Sequence, residues 1–226
     1  MRIVRFSEGN FYHVFNRGVD KRNIFQDRAD YRRFYASMYL FNDDLYRNNG
    51  NADLKAGNLY NRLLSRDGDR SPLVRIICYC LLPNHFHLLL EQLKEQGVQK
   101  FMHRLSMGYA RFFNIRNDRS GRLFEGPFKA ELIQNDAQFM HAPRYIHLNA
   151  LDPTDLDWRN GKIEDWEKAE ALLDNYEWSS HRVYKGLKEP LPVISRSSFV
   201  DLFPTPDSYT EFLKEWGGRY KYAMDI

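Results

Sequence analysis

Leu81-Leu82-Pro83-Asn84-His85-Phe86-His87-Leu88-Leu89-Leu90 is the stretch whose reading decides the fold. Pro83-Asn84 interrupts an apolar run and reads as a turn, so a new strand begins at His85. Side chains alternate along a strand. His85 and His87 therefore share one face, while Phe86, Leu88 and Leu90 share the other and fix the strand against a core. Two imidazoles side by side on a rigid strand make half of a divalent-metal site.

Outward from that stretch, Leu73 to Leu82 is the most apolar segment and reads as a central strand, paired with His85 to Gln92 in an antiparallel hairpin. Phe11 to Arg17 alternates like a strand with one buried face. Asp27 predicts the N-cap of a helix running to about Asn42, because Tyr31, Phe34, Tyr35, Met38 and Phe41 form a helical stripe. Past Gly97, the residues Phe101, Leu105, Tyr109, Phe112 and Phe113 recur at helical spacing to about Arg116. Phe124 to Ile133 carries a weaker strand pattern. Asp136 then predicts the cap of a third helix over Ala137 to about Asn149.

The first six elements match a βαββαβ, ferredoxin-like α+β arrangement, an antiparallel sheet with helices on one face. The third helix and a mixed C-terminal extension follow. Residues 1–150 form one domain, interrupted by a polar insertion at about 43–72 that carries a short helix around Leu54 to Leu64. Residues 151–226 form an extension packed on the same domain, with helices near Glu164 to Leu173 and Ser208 to Trp216.

The 226 residues suffice for one well-buried core. With 33 basic and 30 acidic residues the net charge is only +3, so a polyanionic partner has to be argued from local clusters. The two cysteines, Cys78 and Cys80, are too close along one strand for a mutual disulfide and have no second pair; they read as reduced core thiols. Met1 to Phe6 lacks the apolar core of a signal peptide, and no apolar run approaches the roughly 18 residues of a membrane span. A soluble, cytoplasmic protein is expected.

The third helix supplies what the histidine pair lacks. Tyr145 and Asn149 are four residues apart and so lie one turn apart on one helix face. A tyrosine beside a divalent metal is a candidate nucleophile, and an amide oxygen is a candidate third ligand. Two imidazoles, an amide and a phenol, with open metal positions for substrate oxygens, suit in-line attack on a phosphodiester.

Leu82-Pro83-Asn84-His85-Phe86-His87-Leu88, followed by Tyr145-Ile146-His147-Leu148-Asn149, resembles the single-tyrosine HUH transposases, named for histidine, hydrophobic, histidine. The REP-associated tyrosine transposases of bacteria are the most similar group. Tyr12-His13-Val14-Phe15-Asn16-Arg17-Gly18, Gly121 to Lys129 and Tyr176-Glu177-Trp178-Ser179-Ser180 look like the same family, so the resemblance spans about Phe11 to Tyr184. It implies an HUH transposase catalytic domain: a metal-dependent single-stranded DNA endonuclease and strand transferase working through a 5′-phosphotyrosine. Its metal ligands would be His85, His87 and Asn149, its nucleophile Tyr145, and its cofactor Mg²⁺ or Mn²⁺. The partner would be single-stranded or hairpin DNA from repeated palindromic elements or insertion-sequence ends. The protein would be bacterial and nucleoid-associated, a monomer or homodimer, with no membrane contact. The chain departs from the family in its 43–71 insertion and in Ala150, where proline is common.

Other readings compete. Tyr109 is a rival nucleophile, but Phe113 one turn later cannot ligate a metal and Tyr109 lies in an aromatic stripe. His147 is two residues from Tyr145, on another helix face, and reads as structural or DNA-contacting. His13 reads as a phosphate contact, a group supporting the metal ligands or a plain strand histidine; His103, His141 and His181 have no partner pattern. Basic residues interleaved with aromatics are candidate DNA contacts: Arg17, Lys21 and Arg22, then Arg111, Arg116, Arg119, Arg122 and Lys129. The function alternatives are a non-catalytic, domesticated binder of structured DNA, a ferredoxin-like RNA-binding module, and a metal hydrolase that uses water in place of tyrosine.

Overall fold

A computed structural model describes residues 4–46, 63, 70–194 and 202–215. Its elements are β1 (Phe11–Arg17), α1 (Arg28–Phe41), β2 (Val74–Leu82), β3 (His85–Gln92), α2 (Gly97–Arg116), β4 (Lys129–Leu132), α3 (Asp136–Leu148), α4 (Trp166–Asn175), α5 (His181–Tyr184) and α6 (Pro206–Lys214). The four strands make one antiparallel sheet in the order β2-β3-β1-β4, so the class is α+β.

Register follows from the alternation of β3. Phe86, Leu88 and Leu90 are fully buried on one face. There α1 and α2 pack, with the Phe34 ring 5.0 Å from Phe86 and 5.0 Å from Tyr109. On the opposite face His87 lies between Phe15 of β1 and Cys80 of β2, and His85 lies between Arg17 and Leu82. This second face is covered by α3, which packs on β2 and β3. The hairpin between β2 and β3 is closed by Pro83-Asn84, with the Pro83 carbonyl accepting from the Ile24 and Phe25 amides at 2.7 and 2.9 Å. Cys78 and Cys80 are buried free thiols on the histidine face, and burial holds both pKa values well above the usual thiol range.

Local chemistry explains the element ends. Asp27 caps α1, accepting from the Ala29 and Asp30 amides. Asn135, not Asp136, caps α3: its backbone is extended and its side chain accepts from Gln138 N at 2.9 Å. β4 is shorter than the alternation over Phe124 to Ile133 suggests. Gly126-Pro127 interrupts that run, proline has no donor for the ladder, and Phe124 makes only an isolated bridge to Gly18. Asp165 caps α4, and Thr205 caps α6 reciprocally with Ser208. The expected end of the last helix, Trp216, lies outside the described residues, as does the expected helix around Leu54 to Leu64 apart from buried Leu63.

The C-terminal extension is bonded to the sheet. Trp178–Ser180 runs along β2, with Leu81 N donating to Trp178 O at 2.9 Å and Ser180 N to Tyr79 O at 3.0 Å. Tyr176 and Tyr184 donate their hydroxyls to the carbonyls of Leu81 and Ile77 at 2.6 and 2.8 Å. Ser180 Oγ accepts from Tyr79 N at 2.8 Å, and Trp178 stacks on Tyr31 with ring centroids 4.7 Å apart. His147 of α3 joins the same assembly, bonded to Ser180 Oγ at 2.7 Å and to the Tyr209 hydroxyl of α6. No helix among the described residues is long and apolar enough to cross a membrane.

Candidate metal and nucleophile site

His85 and His87 are adjacent on β3, with ring centroids 5.0 Å apart and planes at 86°. Each has a neighbour that defines one ring nitrogen. Asn84 Oδ1 lies 2.6 Å from His85 Nδ1, and a carboxamide oxygen only accepts, so Nδ1 carries the proton and Nε2 the lone pair. His87 Nδ1 lies 3.0 Å from His13 Nε2. When Nδ1 donates in that pair, His87 Nε2 is left with a lone pair. That Nε2 is buried and has no hydrogen-bond partner among the described residues. Such an atom is costly unless something binds it.

The three imidazoles are neutral at pH 7. Burial pulls His13 down to about 3. Burial, then the Arg159 and Arg17 charges, pull His85 down to about 4. Burial first, then repulsion from His13 and His85 if they were protonated and from the Arg159 charge, holds His87 well below the usual imidazole range. Neutral imidazole is the form that ligates a metal.

Helix α3 brings its residues over this cluster. The Tyr145 ring lies 5.6 Å from His87 at 89° and 5.7 Å from His13, and Trp158 closes its other side at 5.8 Å. Asn149 follows the last turn of α3, and its Nδ2 donates to the Tyr145 carbonyl at 2.6 Å. Its Oδ1 accepts from Arg159 at 3.1 Å. The same guanidinium donates to the Tyr145 hydroxyl at 3.4 Å and to Asp152 Oδ2 at 2.7 Å, and rests 4.6 Å from the Trp158 ring.

Sequence reasoning missed Arg159, Asp152 and Trp158. Trp158 and Arg159 sit on one short 3-10 turn and Asp152 follows another, and no periodicity assigns a face to either. The only available signal was a Trp-Arg pair inside an acidic segment containing Asp152, Asp155 and Asp157.

The donor set fits a divalent ion in part. His85 and His87 present neutral imidazoles, and Asn149 Oδ1 is the nearby amide oxygen, here held by a guanidinium. Among the described residues no group of three or more His, Cys, Asp or Glu side chains is placed to hold a metal ion. Asn149 Oδ1 would be the protein oxygen available to complete such a set.

Tyr109 lies in the other layer, buried among Phe25 and Phe34, and its hydroxyl donates to Ile24 O at 2.5 Å. Burial and the nearby Asp30 carboxylate raise its pKa, so it is a packing residue. His147 is wholly buried in the polar assembly described above and has no path to a DNA strand. His181 pairs with Asp174 at 2.8 Å, His141 is buried on α3, and His103 is exposed on α2.

The basic residues divide between two regions. Arg17 bonds Glu125 at 2.5 Å, and the turn carrying exposed Lys21 and Arg22 lies against Asn84, beside His85. Gly18 makes that turn possible: a Cβ there would fall 2.2 Å from the Arg22 carbonyl oxygen. Lys129 lies on the histidine face, its ammonium 5.8 Å from the Phe15 ring. Arg111, Arg119 and Arg122 line a separate groove between α2 and residues 118–128, beside exposed Met107 and Ile115. Arg116 is taken up by ion pairs to Asp27 and Asp30, tying the end of α2 to the start of α1. His13 is fully buried under Tyr145, so it faces His87 and not solvent.

No family model and no curated protein matches this chain. One solved structure that is similar to it is of a REP-associated tyrosine transposase bound to a REP hairpin. It has a TM-score of 0.47 and 14% identity, and the match covers 88% of this chain and 95% of that one. That likeness is distant.

Proposed function

We propose that the chain is a metal-dependent single-stranded DNA endonuclease and strand transferase, with Tyr145 as nucleophile and His85, His87 and Asn149 as metal ligands. The observation that carries this reading is the placement of the Tyr145 ring against the His87 ring, with two neutral imidazoles side by side beneath it. The motifs shared with the single-tyrosine HUH transposases support it. So does the four-stranded antiparallel α+β sheet, which is compatible with the fold of that resemblance.

Tyr145 Oη attacks the phosphorus of the scissile phosphodiester. The bond to the 3′-oxygen breaks and its electron pair leaves with that oxygen, which takes a proton to become a 3′-hydroxyl. The phenol proton passes to solvent, and the 5′ side stays on Tyr145 as a phosphotyrosine that a later 3′-hydroxyl reverses. A bound Mg²⁺ or Mn²⁺ would polarise a phosphate oxygen, and the phosphate and amide oxygens favour those ions. Arg17, Lys21, Arg22 and Lys129 lie around the site as contacts for the strand, and the Arg111, Arg119 and Arg122 groove is a second basic surface for the same DNA. A ferredoxin-like RNA module stacks bases on aromatics of an open sheet face. Here His13, Phe15 and His87 on that face are buried, which disfavours that alternative.

The test is incubation of the protein with Mn²⁺ and single-stranded hairpin DNA, followed by denaturing electrophoresis. A denaturant-resistant protein–DNA adduct is expected, lost in Tyr145→Phe and kept in Tyr109→Phe. An adduct surviving in Tyr145→Phe overturns the nucleophile assignment. Hairpin binding without any adduct in the native sequence points to a non-catalytic regulator.

A further inference from the structure

We propose that Arg159 is a gate on the metal site, a built-in cation that holds Asn149 and Tyr145 until a phosphodiester draws it away. The proposal rests on the metal and nucleophile reading above and deepens it. Three hydrogen bonds carry it: Arg159 reaches Asn149 Oδ1 at 3.1 Å, the Tyr145 hydroxyl at 3.4 Å and Asp152 at 2.7 Å. Asn149 Nδ2 is committed to the Tyr145 carbonyl, which fixes the amide with its oxygen toward the guanidinium. An amide oxygen has two lone pairs, but a divalent ion on one and a guanidinium on the other would set like charges within a few ångströms. The metal and Arg159 therefore compete for Asn149.

The guanidinium is able to leave. Its side chain is 36% exposed, and Trp158 provides a surface along which the planar group can slide. Its acceptors there are the Asn149 amide oxygen and the Tyr145 hydroxyl, with the Asp152 carboxylate as the ionic partner on which it pivots. A phosphodiester offers two non-bridging oxygens that share one negative charge in the geometry of the guanidinium fork, a stronger pairing than the amide and the hydroxyl give. Arrival of the strand would turn Arg159 from Asn149 to phosphate, free the amide oxygen for the metal, and leave the cation on the reacting group. Metal and DNA would then bind cooperatively, each raising the affinity for the other by the same factor.

Mn²⁺ titration of the full chain, followed by electron paramagnetic resonance, tests this in the native sequence and in Arg159→Gln. Arg159→Met, which keeps the packing on Trp158, serves as a second variant, and circular dichroism melts check folding. Both variants are expected to bind Mn²⁺ at least ten-fold more tightly than the native protein. Adding Asn149→Ala to either is expected to return the affinity to the native level. A thymidine oligonucleotide is expected to tighten Mn²⁺ binding in the native protein by several-fold, and to lose that effect in Arg159→Gln. Affinities within two-fold of native in both folded variants, still abolished by His87→Ala, overturn the gate and leave the metal site standing. Mn²⁺ binding that ignores His87→Ala, or is absent throughout, overturns the metal reading and the gate with it.

Discussion

Acidification is expected to unfold this protein through its buried histidines. His13 is held down to about 3 and His85 to about 4, against an ordinary value near 6.5. Between 6.5 and those values the unfolded chain binds protons that the folded chain refuses, so stability rises with pH through that window and falls as pH drops through it. Each such group costs about 1.4 kcal/mol per pH unit, hence roughly 2 kcal/mol at pH 5. His141, held down to about 4 by burial and Arg144, adds a similar amount. His87 and His147 act in the same direction. The three histidines with assigned values alone remove about 6 kcal/mol at pH 5, comparable with the 5–15 kcal/mol of a typical domain. Urea unfolding at half-unit intervals from pH 7 to 5, read by tryptophan fluorescence, measures the slope. At least two protons taken up on unfolding near pH 5.5 are expected, and one fewer in His13→Leu. A slope below one proton between pH 6 and 5 refutes the claim that the cluster is held neutral by burial.

Other perturbations follow from single contacts. Asn84→Ala removes the acceptor that fixes the His85 tautomer at 2.6 Å, and Mn²⁺ affinity measured by titration is expected to fall about 10–100-fold. Gly18→Ala drives a methyl into the Arg22 carbonyl; a loss of about 1–3 kcal/mol in urea unfolding is expected, with reduced DNA adduct, because the same turn abuts Asn84. Phe86→Ala empties the space between Phe34 and Phe124 and is expected to cost about 3–5 kcal/mol in the same assay.

What the sequence made legible, and what it did not, has a physical pattern. The β3 register was readable because period two is absolute: with Phe86 inward, His85 and His87 have one place to go. Tyr145 and Asn149 were paired by helical spacing alone, and the structure sets them one turn apart at the end of α3. Arg159 was invisible because its role comes from the return of an irregular segment onto α3, and no local rule aims such a side chain. Arg116 read as a DNA contact from its basic neighbours, yet Asp27 and Asp30 of another helix neutralise it. Composition counts charges without saying which ones meet. β4 read too long because its alternating residues outweighed Gly126-Pro127, a break that the hydrogen-bond ladder cannot ignore.

The strand at the rim of the sheet, β2, would by itself present a row of unpaired backbone groups to any passing chain. The bonds from the extension answer them in turn: Tyr184 at Ile77, Ser180 at Tyr79, Trp178 and Tyr176 at Leu81. The opposite rim, β4, is only four residues long and carries Lys129 and Glu131, which already discourages further strand addition. The C-terminal segment thus occupies the edge of β2 with which another strand would otherwise pair. Shortening the chain before Tyr176 would leave an apolar, strand-ready template exposed, and the failure to expect is aggregation during expression rather than a folded protein lacking an accessory piece.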